Sequence, residues 1–159
     1  MCDLLDSETP GVHYMGDVRH LIDGEKWDLM IAHPPCTYLA VSGAAHFNRP
    51  ERVQPQIDAI AFVRYLMNAP IPRIAIENPV SVISSRIRKP DQIVQPYQFG
   101  HGERKKTCLW LKNLPLLVPT DEVEGRSQSN RWVSPGPDRW KERSRTFTGI
   151  ASAMAEQWG

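Results

Sequence analysis

Short apolar runs and one long helical stripe dominate the pattern of hydrophobic and polar positions. In KWDLMIAH, Leu29, Met30, Ile31 and Ala32 follow one another without a polar break. Such a run reads as a strand buried on both faces. From about Gln56 to Met67 the period changes. Ile60, Val63 and Met67 share one helical face, with Ala59, Phe62 and Leu66 beside it. A second strand is expected at Arg73–Ile76 in APIPRIAIENP, and a third at Thr107–Leu111 in KTCLWLKNLP. MGDVRHLI reads as a short helical turn through Val18, Leu21 and Ile22, and GIASAMAEQWG as a helix ending at Gly159. Residues 1–16 are turn-rich, 37–50 form a loop of small residues, 81–106 form loops around a short helix, and 119–145 form an extended polar surface segment. Strand, helix, strand implies an α/β fold with a mostly parallel sheet.

Composition narrows this picture. A chain of 159 residues, 41% hydrophobic and 23% charged, fits one domain with a proper core, spanning 1–159. Its net charge of +1 gives no global basic field, so any nucleic-acid contact must rest on local clusters. Cys2, Cys36 and Cys108 lack CxxC spacing, which argues against a disulfide framework and a structural zinc site. A reducing, cytoplasmic setting is expected. No apolar run approaches the roughly 20 residues of a membrane helix, and no signal-peptide core is present.

The chemistry gathers where strands end. IAHPPC closes the first strand with two prolines, which stop the ladder and stiffen the turn that presents Cys36. AIENP closes the second. If the two strands are parallel neighbours, their carboxyl ends bring Cys36 and Glu77 to one edge, where open α/β sheets bind ligands. A thiolate beside a carboxyl that can donate a proton suits covalent attack on a heteroaromatic ring. His33 and Cys36 have a short spacing that a metal can use, but no second pair accompanies them, so no metal site is expected. The run Arg104, Lys105, Lys106 is a solvated face or a phosphate contact. Arg126, Arg131, Arg139, Lys141, Arg143 and Arg145, interleaved with Trp132 and Trp140, read as a flap over the sheet or a stacking surface for nucleic acid.

The pair Pro34-Pro35-Cys36 and Glu77-Asn78 resembles the motif pair of the DNA cytosine-5 methyltransferases. The resemblance implies a Rossmann-like methyltransferase fold and methyl transfer from S-adenosylmethionine to cytosine C5. On it, Cys36 attacks C6, Glu77 activates the ring at N3 and the exocyclic amine, and Asn78 supports the cysteine loop. Residues 37–50 are then the loop that closes on an extruded base. It further implies cofactor contacts from Asp3 (ribose), Asp17 and Val18 (adenine) and Pro34, and a returning terminal motif in RTFTGIASAMA, residues 145–155. The whole string is also similar to short phage-encoded methyltransferase-like proteins. DNA or a cytosine nucleotide is the implied partner, in a bacterial host cytoplasm.

The chain departs from that family in three places. It has no Phe-x-Gly-x-Gly turn for the methionine end of the cofactor, so truncation on the amino-terminal side is expected. That missing strand lies mid-sheet in the family, so a homodimer or a partner protein is the implied complement. Only residues 112–144 stand where a target-recognition domain would be, and Cys36 is followed by TYLAVSG rather than the usual Gln or Asn with Ser or Phe. The competing expectation is a catalytically reduced protein on the same fold that binds DNA or another protein, as an anti-defence or accessory factor. Methylation of an exocyclic amine and folate-dependent transfer fit these residues less well.

Overall fold

A computed structural model describes residues 1–4, 11–125 and 147–159. The elements run β1 (Cys2–Asp3), β2 (Tyr14–Met15), α1 (Val18–Gly24), β3 (Leu29–Ala32), a 3₁₀ turn (Val41–His46), α2 (Pro50–Met67) and β4 (Arg73–Pro79). They continue with α3 (Ile83–Arg86), β5 (Gln92–Val94), a 3₁₀ turn (Pro96–Gln98), β6 (Thr107–Lys112) and α4 (Thr148–Trp158). Residues 5–10 and 126–146, and with them the basic and tryptophan positions of the 119–145 segment and the start of RTFTGIASAMA, lie outside the described residues.

The protein is mixed α/β. One sheet has four strands in the order β3-β4-β6-β5, and a second pairs β1 with β2 in parallel. β3 and β4 are parallel neighbours joined through α2, as the strand–helix–strand pattern requires. The expected mostly parallel sheet is corrected, because β6 runs antiparallel to both β4 and β5. The cause is β5, a strand of three residues that the apolar pattern does not mark. It ends at the same edge as β4, and the chain turns there through residues 95–106, so β6 must run back.

Two cores cover the sheet. On one face Ile74 and Ile76 of β4 and Trp110 of β6 pack with Val63 and Leu66 of α2 and Ile83 of α3. On the other, Ala75, Leu109 and Val94 pack with Ile150, Ala153, Met154 and Trp158 of α4. The alternation follows from the two-residue period of a strand. β3 departs from its expected burial on both faces. All four of its residues are half-buried, because among the described residues β3 is an edge strand with β4 as its neighbour in the sheet.

Helix α2 starts six residues before the expected Gln56, at Pro50. Pro50 suits a first helical position, where its missing N–H has no partner to lose. Pro55 lies inside the helix. Placed so near the start, it removes one backbone bond without ending the helix. β4 also runs further than its apolar residues suggest, through Pro79, so Glu77 and Asn78 sit inside the strand opposite Leu109 and Cys108.

Candidate active site at the carboxyl edge of β3 and β4

The parallel register pairs Ala32 with Ile76, so the next residues, His33 and Glu77, lie side by side just past the end of β3, while β4 runs on to Pro79. Their side chains meet: His33 Nδ1 lies 2.9 Å from Glu77 Oε2. One proton serves that contact. Either the imidazole N–H donates to the carboxylate, or the carboxylic acid donates to the imidazole. The Glu77 side chain is only 19% exposed against 41% for His33, so the carboxyl is the sheltered member.

Asn78 points to the opposite face of β4 and is buried. Its Nδ2 donates to the Pro34 carbonyl at 2.9 Å, across 44 residues of sequence. Pro34 is itself buried, whereas Cys36, two residues on, is exposed. The Cys36 carbonyl accepts from the N–H groups of Leu39 and Ala40, which closes the turn. Val41 N–H then donates to the Val80 carbonyl and Val82 N–H to the Leu39 carbonyl, and Gln56 Nε2 donates to the Tyr38 carbonyl. The cysteine turn is therefore fastened to the strand that carries Glu77 and to helix α2. Leu39 anchors it in the core, fully buried.

The two other cysteines differ from Cys36. Cys108 is buried opposite Asn78, and burial, then the charge of Glu77, pushes its thiol up, so it stays protonated. Cys2 is half-buried, and burial raises its thiol as well. Cys36 has the accessibility a nucleophile needs.

Arg104, Lys105 and Lys106 are exposed just before β6. Because β6 runs antiparallel, its first residue, Thr107, pairs with Pro79 at the end of β4. The basic run thus reaches the same edge as Glu77. Arg104 lies over the Tyr97 ring and Lys105 over the Phe147 ring, 5.6 Å from each centroid, arrangements that steady both side chains.

The cofactor contacts implied by the resemblance fare differently. Asp3 ends β1, and Asp17 follows β2 at the same end of that parallel pair. Asp17, however, caps α1 through the Arg19 N–H, and both of its carboxylate oxygens receive Arg19 Nε, with Arg19 Nη2 at 2.6 Å. Val18 is half-buried against the α2-side core, and the Pro34 carbonyl is taken by Asn78. The Arg19 side chain, then its backbone N–H, holds the Asp17 carboxyl at about 2. Its contribution to α1 is therefore complete above about pH 4 and is lost as pH falls through about 2. Acid titration of wild type against Asp17→Asn, followed by circular dichroism, is expected to show a difference that vanishes below that range. A constant difference at every pH contradicts the pairing.

Sequence reasoning missed His33 as the partner of Glu77. The signal was available: two parallel strands in register place equal offsets side by side. A cavity of about 520 Å³, lined by Arg64, Met67, Trp110 and Lys112 among others, lies at the amino end of β4, away from Cys36. No protein-family model, curated protein or solved structure matches the chain.

Proposed function

We propose that this protein acts on a cytosine ring, in DNA or a nucleotide, by adding the Cys36 thiolate to C6, the chemistry that opens C5 methyl transfer. The observation that carries this reading is the Asn78–Pro34 hydrogen bond, which fixes the turn bearing Cys36 to the strand bearing Glu77. The sulfur forms a bond to C6, and the C5=C6 electron pair moves into the ring. The Glu77 carboxyl delivers a proton to N3, which leaves a nucleophilic carbon at C5. Arg104, Lys105 and Lys106 hold the phosphate at the rim. S-adenosylmethionine is the methyl source that the motif pair implies. Asp17 is engaged by Arg19, and Val18 packs against the α2-side core.

The nucleophilic half of the reaction needs no methyl donor. The C5 carbon of the adduct takes a proton from solvent and then loses its original one, and as N3 gives back its proton the Cys36 thiolate leaves and cytosine returns. In heavy water, cytosine in DNA or dCMP therefore exchanges its C5 hydrogen, read by mass spectrometry. Cys36→Ser is expected to reduce that exchange on the order of a thousandfold or more. No exchange by the wild type, or equal exchange by the variant, overturns the reading.

A second reading has its own support. The Arg19 clamp on Asp17 favours a catalytically reduced protein on a methyltransferase-like fold that binds nucleic acid or another protein. Calorimetry with S-adenosylmethionine separates the two. Micromolar binding, about −8 kcal/mol, supports transfer, and absence of binding together with absence of C5 exchange supports the reduced protein.

A further inference from the structure

We infer that His33 is a positioning residue that supplies the proton Glu77 delivers, so that the pair works as a one-proton dyad. The inference rests on the cytosine reading. Its basis is the 2.9 Å contact between His33 Nδ1 and Glu77 Oε2, built by adjacent positions of two parallel strands in register. A carboxylic acid that must donate at neutral pH needs a device to stay protonated. The Glu77 side chain keeps some exposure, and His33 is the partner at its Oε2. Imidazolium–carboxylate and imidazole–carboxylic acid are two placements of the same proton, and the pair is neutral in both. As sulfur bonds to C6, the proton on the Glu77 carboxyl passes to N3. That leaves a carboxylate beside a neutral imidazole, and the half-exposed imidazole takes a proton from solvent and passes one through Nδ1 to Oε2, which restores the pair.

The other groups near Glu77 come from β6 and the turn before it. Cys108 is buried and protonated and brings no charge, while Lys106 brings a positive one.

The test compares C5 exchange by wild type, His33→Asn and Glu77→Gln between pH 5 and pH 8. Asn keeps a neutral N–H donor close to the Nδ1 position but carries no mobile proton. The wild-type to His33→Asn ratio cancels the ionisation of Cys36. It is expected to rise from within a fewfold at pH 5, where solvent is a ready proton source, to about a hundredfold at pH 8. In a Glu77→Gln background His33→Asn is expected to add nothing, which separates a role through Glu77 from general damage to the fold. A ratio that is flat across pH, or an equal loss in both backgrounds, overturns the dyad while leaving Cys36 addition intact. Absence of exchange in the wild type removes both.

Discussion

Gly149→Ala is expected to destabilise the protein by about 3 kcal/mol, the upper end of an overpacking cost. In an ordinary helix this substitution gains stability, because glycine is the poorer helix former. Here the sign reverses. A Cβ at position 149 would lie 1.9 Å from the Phe99 carbonyl oxygen and 3.0 Å from its carbon. Neither side can give way. Phe99 is buried, its N–H donates to the Pro96 carbonyl, and the next residue donates to the Asp121 carbonyl. On the helix side, Gly149 N–H donates to His101 Nε2 at 3.0 Å, and Ile150, next in the chain, is core. Relief requires α4 to lift off Leu109 and Ala75, which opens the second core. Urea unfolding is expected to show a lower midpoint with an unchanged slope. An unchanged or higher midpoint would mean that α4 does not approach the 99–101 turn.

Asn78→Asp is expected to cost about 3 kcal/mol at neutral pH, although the two side chains have the same shape. The change turns the Nδ2 donor into an acceptor facing the Pro34 carbonyl oxygen. The existing Oδ1 is already buried without a partner among the described residues, so neither oxygen of the new carboxylate is satisfied. Burial raises the carboxyl in the folded state, and its protonated form can donate to Pro34. The folded state then binds the proton more tightly than the unfolded chain. The deficit is small below the unfolded value of about 4 and grows as pH rises above it. Stability measured at pH 4 and pH 7 is expected to show the gap widening. C5 exchange is expected to fall with it, since the cysteine turn loses its tie to β4. A gap of equal size at both pH values contradicts a buried donor at this position.

Some of this was legible in the residues. The apolar run at 29–32, the stripe of Ile60, Val63 and Met67, and the run at 73–76 specify a βαβ unit, since a parallel pair needs such a crossover. Once that unit is drawn, Cys36 and Glu77 fall at one edge without further information. The rest was illegible for physical reasons. β5 has three residues and one buried side chain, too few to show a period. Without β5, the direction of β6 is undetermined, and with it the edge that Arg104–Lys106 approach. β1 and β2 have two residues each, in a stretch that reads as turn. Asp17 is an acid placed to cap a helix, and only in the folded structure does Arg19 claim its oxygens as well.

The direction of β6 has a further consequence. The chain leaves β3 at residues 33–49, leaves β4 at Val80, and crosses from β5 to β6 at 95–106, all at one end of the sheet. The side chains that hold the two cores together lie mostly in the strands and in α2 and α4. Insertions that spare Leu39, Phe99 and the Pro34–Asn78 tie change the exposed surface at this end while leaving most of what keeps the protein folded untouched. Such an arrangement separates the surface that can vary from the positions that hold the fold.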